Sequence, residues 1–312
     1  MKLRLVGMAT ILSLLIAFCL ATGLAQAQTN FKEFEFDSTS TYVIELLDGT
    51  EITGTYIGKT DELLFISTAS IPRIEIPFAQ IKSIKVAADS SMRGSKYWFP
   101  NPNATRYFFA PSGFNLKKGE GYYQNSYLIL NSVNYGLTDQ ISIGGSIELI
   151  STFSSLAEGS FNPIVLITPK IAYPLSKELN VGAGLLFVSL PEIDNDPRTN
   201  VGIAYGLGTY GNVEHNATLG FGWGFVDGSW AKRPVITING MTRIRPNMSL
   251  VTENWILPFG EDLEEGRYYE VFSYGVRFFG KKLSVDLAFI NNRDIAEVLL
   301  IGVPYVDFVV KF

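Results

Sequence analysis

Cysteine is almost missing from this 312-residue chain: the single one, Cys19, falls in the apolar N-terminal stretch. Beyond that stretch there is no disulfide, no thiolate metal site and no thiol nucleophile. Histidine is as scarce, with His215 standing alone in "GNVEHNAT" and no serine near it in sequence. No His/Asp/Glu cluster has metal-ligand spacing. The glycine-rich "GLGTYG" has no helix after it to supply the dipole that a phosphate loop uses. No cofactor is therefore expected. Charge is sparse at 18%, and the formal balance of −5 gives no basic face for nucleic acid. After the N-terminus there is also no unbroken apolar run of the ~18 residues that a membrane helix needs. If the mature chain meets a membrane, it does so with strands.

What is present begins with "MKLRLVGMATILSLLIAFCLATGLAQAQ". Lys2 and Arg4 precede an apolar core and then Ala25-Gln26-Ala27, the layout of an export signal over residues 1–27. Phe18 is too bulky beside Cys19 for lipoprotein processing. Residues 28–90 read as a small β-rich domain, with Asp48-Gly49 as a hairpin signal inside "TYVIELLDGTEITGTYIGKT". Over 41–87 the pattern of strand, Asp-Gly, strand and then Ile-Pro resembles the Sm-like small barrels. That resemblance implies a periplasmic binding module; a small structural domain or plug is the blander reading. Residues 91–103 are polar and Pro/Asn-rich, as in a linker.

From 104 to 312 the side chains alternate apolar and polar or small, over segments separated by turn signals. Such a dyad repeat in segments of ~10 residues marks a transmembrane β-barrel. Strands are predicted at 104–114, 120–137, 141–151, 163–174, 179–189, 200–210, 216–226, 234–244, 248–256, 268–279, 283–291 and 303–312. Connections such as "TDQ", "LSKE", "RPN" and "GKK" are short, and those between are mostly longer. Short periplasmic turns and long outer loops are the habit of outer-membrane barrels. An even strand count puts both ends of the barrel in the periplasm. The expected fold is all-β: an antiparallel up-and-down barrel of about twelve strands, behind a small periplasmic β domain.

With the apolar faces toward lipid, strand parity sends Glu148, Lys170, Arg243, Glu253, Arg277, Asp286, Asp307 and Lys311 into the lumen. Neighbouring strands then offer Glu148 with Lys170, Arg243 with Glu253, and Arg277 with Asp286, the last pair diagonal across the "GKK" turn. These charges are read as an ion-pair network filling a narrow interior, or as a constriction that filters solutes. Parity also points Gly182, Gly184, Gly202, Gly206, Gly208, Gly220, Gly222 and Gly224 inward, so either the wall bends there or something packs against it. Acidic runs at 192–196 and 261–265 read as solvated loops. The chain ends in "YVDFVVKF", read as the closing strand. Its Phe308, Val310 and Phe312 face lipid and resemble the C-terminal signal taken by the outer-membrane assembly machinery.

"PNPNATRYFFAPSGFNLKKGEGYYQN" (100–125), "NSVNYGLTDQISIGGSIE" (131–148), "NATLGFGWGF" (216–225) and "TENWILP" (252–258) are similar to a family of Bacteroidota outer-membrane β-barrel proteins. The likeness covers residues 97–312 and implies an outer-membrane barrel with no assigned reaction and no catalytic residues. The expected function is non-enzymatic: a porin-like channel for small solutes, or a structural barrel. Two other readings stand beside it. One is a binding or assembly protein whose N-terminal domain recruits a periplasmic partner. The other is a lipid-modifying barrel enzyme, which would need His215 as its base. The expected partners are outer-membrane lipid, the assembly machinery and that periplasmic partner.

Overall fold

The computed structural model describes residues 31–87, 92–93, 96–192, 197–258 and 268–312. The export signal with Cys19, and the acidic runs apart from Glu192, lie outside the described residues. The chain divides into two units between Trp98 and Phe99.

The N-terminal unit is one five-stranded sheet. Its strands are β1 (Thr41–Leu46), β2 (Glu51–Lys59), β3 (Leu63–Ser67), β4 (Ile74–Pro77) and β5 (Ile81–Val86), in the order β4-β3-β2-β1-β5. The Asp48-Gly49 turn joins β1 to β2: Gly49 takes φ +86°, and the Asp48 carboxylate accepts from Thr50 N at 2.8 Å. Alternation on β1, β3 and β4 buries Tyr42, Ile44, Leu64, Ile66 and Ile76 in a core closed by Phe78, Ile81 and Ile84. Phe36 stacks on Tyr56 at the margin of this core, 4.7 Å between ring centroids. A short ribbon, β6 (Met92–Arg93) with β7 (Lys96–Tyr97), follows.

The second unit is a closed barrel of twelve antiparallel strands. In order these are β8 (Gly121–Ser126), β9 (Leu130–Gly136), β10 (Ile141–Glu148), β11 (Val165–Pro174), β12 (Leu179–Ser189) and β13 (Asn200–Gly211). Then come β14 (His215–Val226), β15 (Ser229–Arg245), β16 (Met248–Pro258), β17 (Tyr268–Phe279), β18 (Leu283–Asn291) and β19 (Val303–Lys311). Helix α1 (Leu149–Ala157) follows β10, and α2 (Arg293–Val298) lies between β18 and β19. Outward positions form an apolar belt in which Ile143, Leu219, Phe221, Trp223, Phe272, Phe278, Leu287 and Phe308 are all exposed. Among the described residues no helix is long and apolar enough to cross a membrane.

Closure joins the barrel's last strand, β19, to its first, β8, pairing Asp307 with Ser126 and Lys311 with Tyr122. The seam continues one residue further, where Gly121 and Phe312 exchange backbone hydrogen bonds of 3.0 and 2.9 Å. The Phe312 ring lies over Gly121, where a Cβ would fall 2.5 Å from it. Glycine is what lets the terminal ring sit flat against the wall.

Three strand expectations need correction. Residues 104–114 are not a strand of the wall, and 120–137 is two strands. The break between those two is a tight turn whose Tyr127 and Leu128 take left-handed φ of 55° and 64° without a glycine, asparagine or proline to announce it. The loop expected after β14 shrinks to Asp227-Gly228, because β15 starts at Ser229.

A further correction concerns the glycines. On β13 it is Ile203, Tyr205, Leu207 and Thr209 that face inward, so Gly202, Gly206 and Gly208 face outward. Tyr205 stands between inward Gly184 and Gly222, and Leu207 between Gly182 and Gly220. A Cβ on Gly184 would collide with the Tyr205 hydroxyl, so the glycines on either side make room for large side chains on the middle strand.

Candidate functional site

A twelve-stranded wall encloses more space than eight strands, whose side chains alone fill the interior. Here the extra space is taken by the chain itself. Residues 99–118 enter the lumen, fold back on themselves and leave by the mouth they entered. Tyr107 N donates to Ala110 O at 2.9 Å and Ser112 N to Thr105 O at 3.1 Å, which makes a narrow hairpin. At one end Asn101 Nδ2 donates to Val213 O at 2.9 Å; at the other Lys118 N donates to Asp139 at 2.9 Å. Both partners sit in short turns, so this luminal finger is rooted at the short-turn mouth. Ala104, Arg106, Tyr107, Phe108, Ala110 and Ser112 are buried along it.

The wall's charges converge on the finger. Arg277, fully buried, grips Asp286 with two parallel bonds: Nε to Oδ1 at 2.6 Å and Nη2 to Oδ2 at 2.7 Å. Its Nη1 also donates to Asn103 O at 3.0 Å, and its Nη2 to Tyr107 O. From the finger, Arg106 Nη1 reaches Asp286 Oδ2 at 3.1 Å and Asp307 Oδ2 at 3.4 Å. Asp307 accepts as well from Gln124 Nε2 at 2.7 Å and the Tyr305 hydroxyl at 2.9 Å. Glu253 Oε2 takes the backbone N–H groups of Phe109 and Ala110, both at 2.8 Å. Lys170 donates to the carbonyls of Thr105, Ser112 and Phe114 at 3.2, 3.2 and 2.6 Å. Arg243 bonds Phe99 O and the Glu214 carboxylate, both at 2.7 Å, with its guanidinium 5.0 Å from the ring centroids of Phe99 and of Phe279.

Neutral groups hold the finger too. The Tyr107 hydroxyl donates to Asn216 Oδ1 at 2.7 Å and meets Thr218 at 2.7 Å, while Gly113 N donates to Thr209 at 2.7 Å. Buried charge is costly unless paired and hydrogen-bonded. Finger and wall carry complementary groups, so Lys170, Glu253 and Arg106 keep these partners only while the finger is seated.

Set against the pairs expected from sequence, only Arg277 with Asp286 meets, and it does so face to face rather than diagonally. The cause is the turn, which runs from Gly280 to Leu283 with Phe279 opposite Ser284. Glu148 does not reach Lys170. It caps α1, accepting from Ile150 N and Ser151 N at 2.7 Å each, and Lys170 lies opposite Ser142. Arg243 pairs with Glu214 instead of Glu253, which faces Asn239 across the ladder. Lys311 stands at the seam's edge, 3.3 Å from Glu120. Phe308 and Phe312 face outward and are exposed, as is Val310. His215 begins β14, with Nδ1 2.7 Å from the Thr242 hydroxyl. Arg106, Tyr107 and Glu214 were absent from the expected site. The only signal for them was Pro111 and the short "LKKGE" link, which fit a wall strand poorly.

The closed wall and apolar belt define a membrane β-barrel. No protein-family model matches the chain, and no curated protein matches its sequence. Among solved structures, the chain is similar to a KdgM porin in complex with disordered oligogalacturonate. The TM-score is 0.40 at 9% identity, over 62% of this chain and 96% of that one. It is also similar to the Salmonella typhi OmpF complex with daunomycin, with a TM-score of 0.30 at 10% identity, over 87% of this chain and 95% of that one. The likeness is one of barrel architecture.

Proposed function

We propose that this protein is a non-enzymatic outer-membrane barrel that holds its lumen shut with its own residues 99–118 and anchors its N-terminal unit in the periplasm. One observation carries the reading: Lys170, Arg243, Glu253, Arg277, Asp286 and Asp307 all bond to the finger. Short turns and both roots of the finger share one mouth, which supports a periplasmic position for the unit that precedes Phe99. A porin-like channel for small solutes is the same protein with the finger withdrawn.

Planar bilayers test this. The full-length protein gives no steady conductance, and deleting residues 99–114 produces stepwise openings. Equal steady conductance from both proteins would sink the reading. For the anchoring role, a periplasmic partner cross-linked to the full chain is lost when only residues 97–312 are expressed behind an export signal. A partner retained by that shortened chain excludes recruitment by the N-terminal unit.

A further inference from the structure

Beside the finger, between it and β8–β13, lies a cavity of about 70 Å³. Its wall is unusual in charge: Arg106 and Lys170 line it, and no carboxylate does. Ser132, Asn134, Ser146 and Thr168 add small polar groups.

Lys170 has no carboxylate partner among the described residues, and Arg106 leaves part of its guanidinium unbonded. Lys170 is buried, and its three bonds all go to neutral carbonyls. Arg106 is 3% exposed and directs Nη1 alone to its carboxylates. Its Nε and Nη2 are buried with no protein acceptor. These two nitrogens form the edge of the guanidinium that grips a carboxylate with parallel bonds. The same molecule shows that use, since Arg277 holds Asp286 by its own Nε and Nη2. A buried donor without a partner is destabilising, and more so when charged. An acceptor bearing charge removes that cost at Arg106 and offsets the field of Lys170.

We propose that this cavity is a binding site for a small carboxylate, gripped side-on by Arg106 Nε and Nη2 and neutralised in part by Lys170. The volume suits a formate- or acetate-sized group, or a few water molecules, and not a sugar or a peptide. The inference goes beyond the closed-barrel reading and holds whether or not the barrel conducts, because the site is formed with the finger seated.

The test uses full-length protein in detergent micelles, labelled with ¹⁵N-arginine and titrated with sodium formate at constant ionic strength. The Arg106 Nε–H resonance shifts and saturates; that of Arg277, already bonded to Asp286, stays still. Acetate competes and chloride does not. Arg106→Lys keeps the charge but removes the fork, and Ser146→Leu fills the cavity; each weakens formate about tenfold or more. A wild-type Arg106 resonance that does not move, or moves without saturating, overturns the proposal, and that result needs neither variant to fold. Undiminished affinity in both folded variants overturns it equally, placing formate elsewhere.

Discussion

Replacing Asp286 with asparagine keeps the shape of the side chain and removes one buried charge. Asp286 is wholly buried and accepts two bonds from Arg277 and one from Arg106. In the variant the Arg277 guanidinium keeps only neutral oxygens, and Arg106 keeps Asp307 at 3.4 Å beside the carbonyls of Tyr107 and Phe108. Breaking a buried pair by removing one partner costs about 3–5 kcal/mol, because the other charge stays buried. At about 1.4 kcal/mol per factor of ten, the ratio of folded to unfolded barrel falls by about a hundred- to a few thousand-fold. Urea unfolding from lipid vesicles followed by tryptophan fluorescence reads the stability. Limited trypsin cleavage after Arg106 reads finger release. Asp286→Asn with Arg277→Met removes both charges and recovers part of the loss, so the two changes are non-additive. Asp307→Asn costs less than Asp286→Asn, since most of its bonds come from the neutral donors Gln124 and Tyr305. A loss below about 1 kcal/mol for Asp286→Asn, the size of a solvated pair, refutes the argument.

Glu253→Gln weakens the charged acceptor of two backbone N–H groups and costs about 1.5–3 kcal/mol, with faster trypsin cleavage at Arg106; unchanged cleavage counts against Glu253 as a clasp. Gly184→Ala drives a Cβ to 2.6 Å from Pro169 O as well as into Tyr205, and overpacking costs about 1–3 kcal/mol. Gly208→Ala has nothing within 4 Å and is tolerated; equal urea midpoints for the two variants would contradict the assigned facing of β13. Deleting Phe312 removes its two backbone bonds to Gly121 and lowers the amount of heat-modifiable barrel recovered from cells; an unaltered yield removes the terminal ring from closure.

Alternation was strong where each strand had lipid on one side, and there the facing of Lys170, Arg243, Glu253, Arg277, Asp286 and Asp307 could be read in advance. Their partners, apart from Arg277 with Asp286, could not. A dyad repeat says which way a side chain points, not what fills the centre, and these charges answer to the finger more than to the next strand. Arg243 and Glu253 show it: both face inward, and each bonds to groups on the finger instead of to the other. The finger itself passed for a strand because its aromatics recur as they would on a wall. On β13 the rule that apolar means lipid-facing failed because glycines on β12 and β14 make an apolar interior possible there. The split at Tyr127-Leu128 left no trace in composition at all.

The finger precedes every strand of the wall and leaves through the mouth by which it came in. Topologically it is unthreaded: among the described residues, no part of the chain passes through the barrel from end to end. It can therefore slide out as a folded-back loop while the seam from Gly121 to Phe312 stays zipped, and slide back without the cylinder ever parting. Filling the hole and building the wall are thus independent events, even though one uninterrupted chain does both.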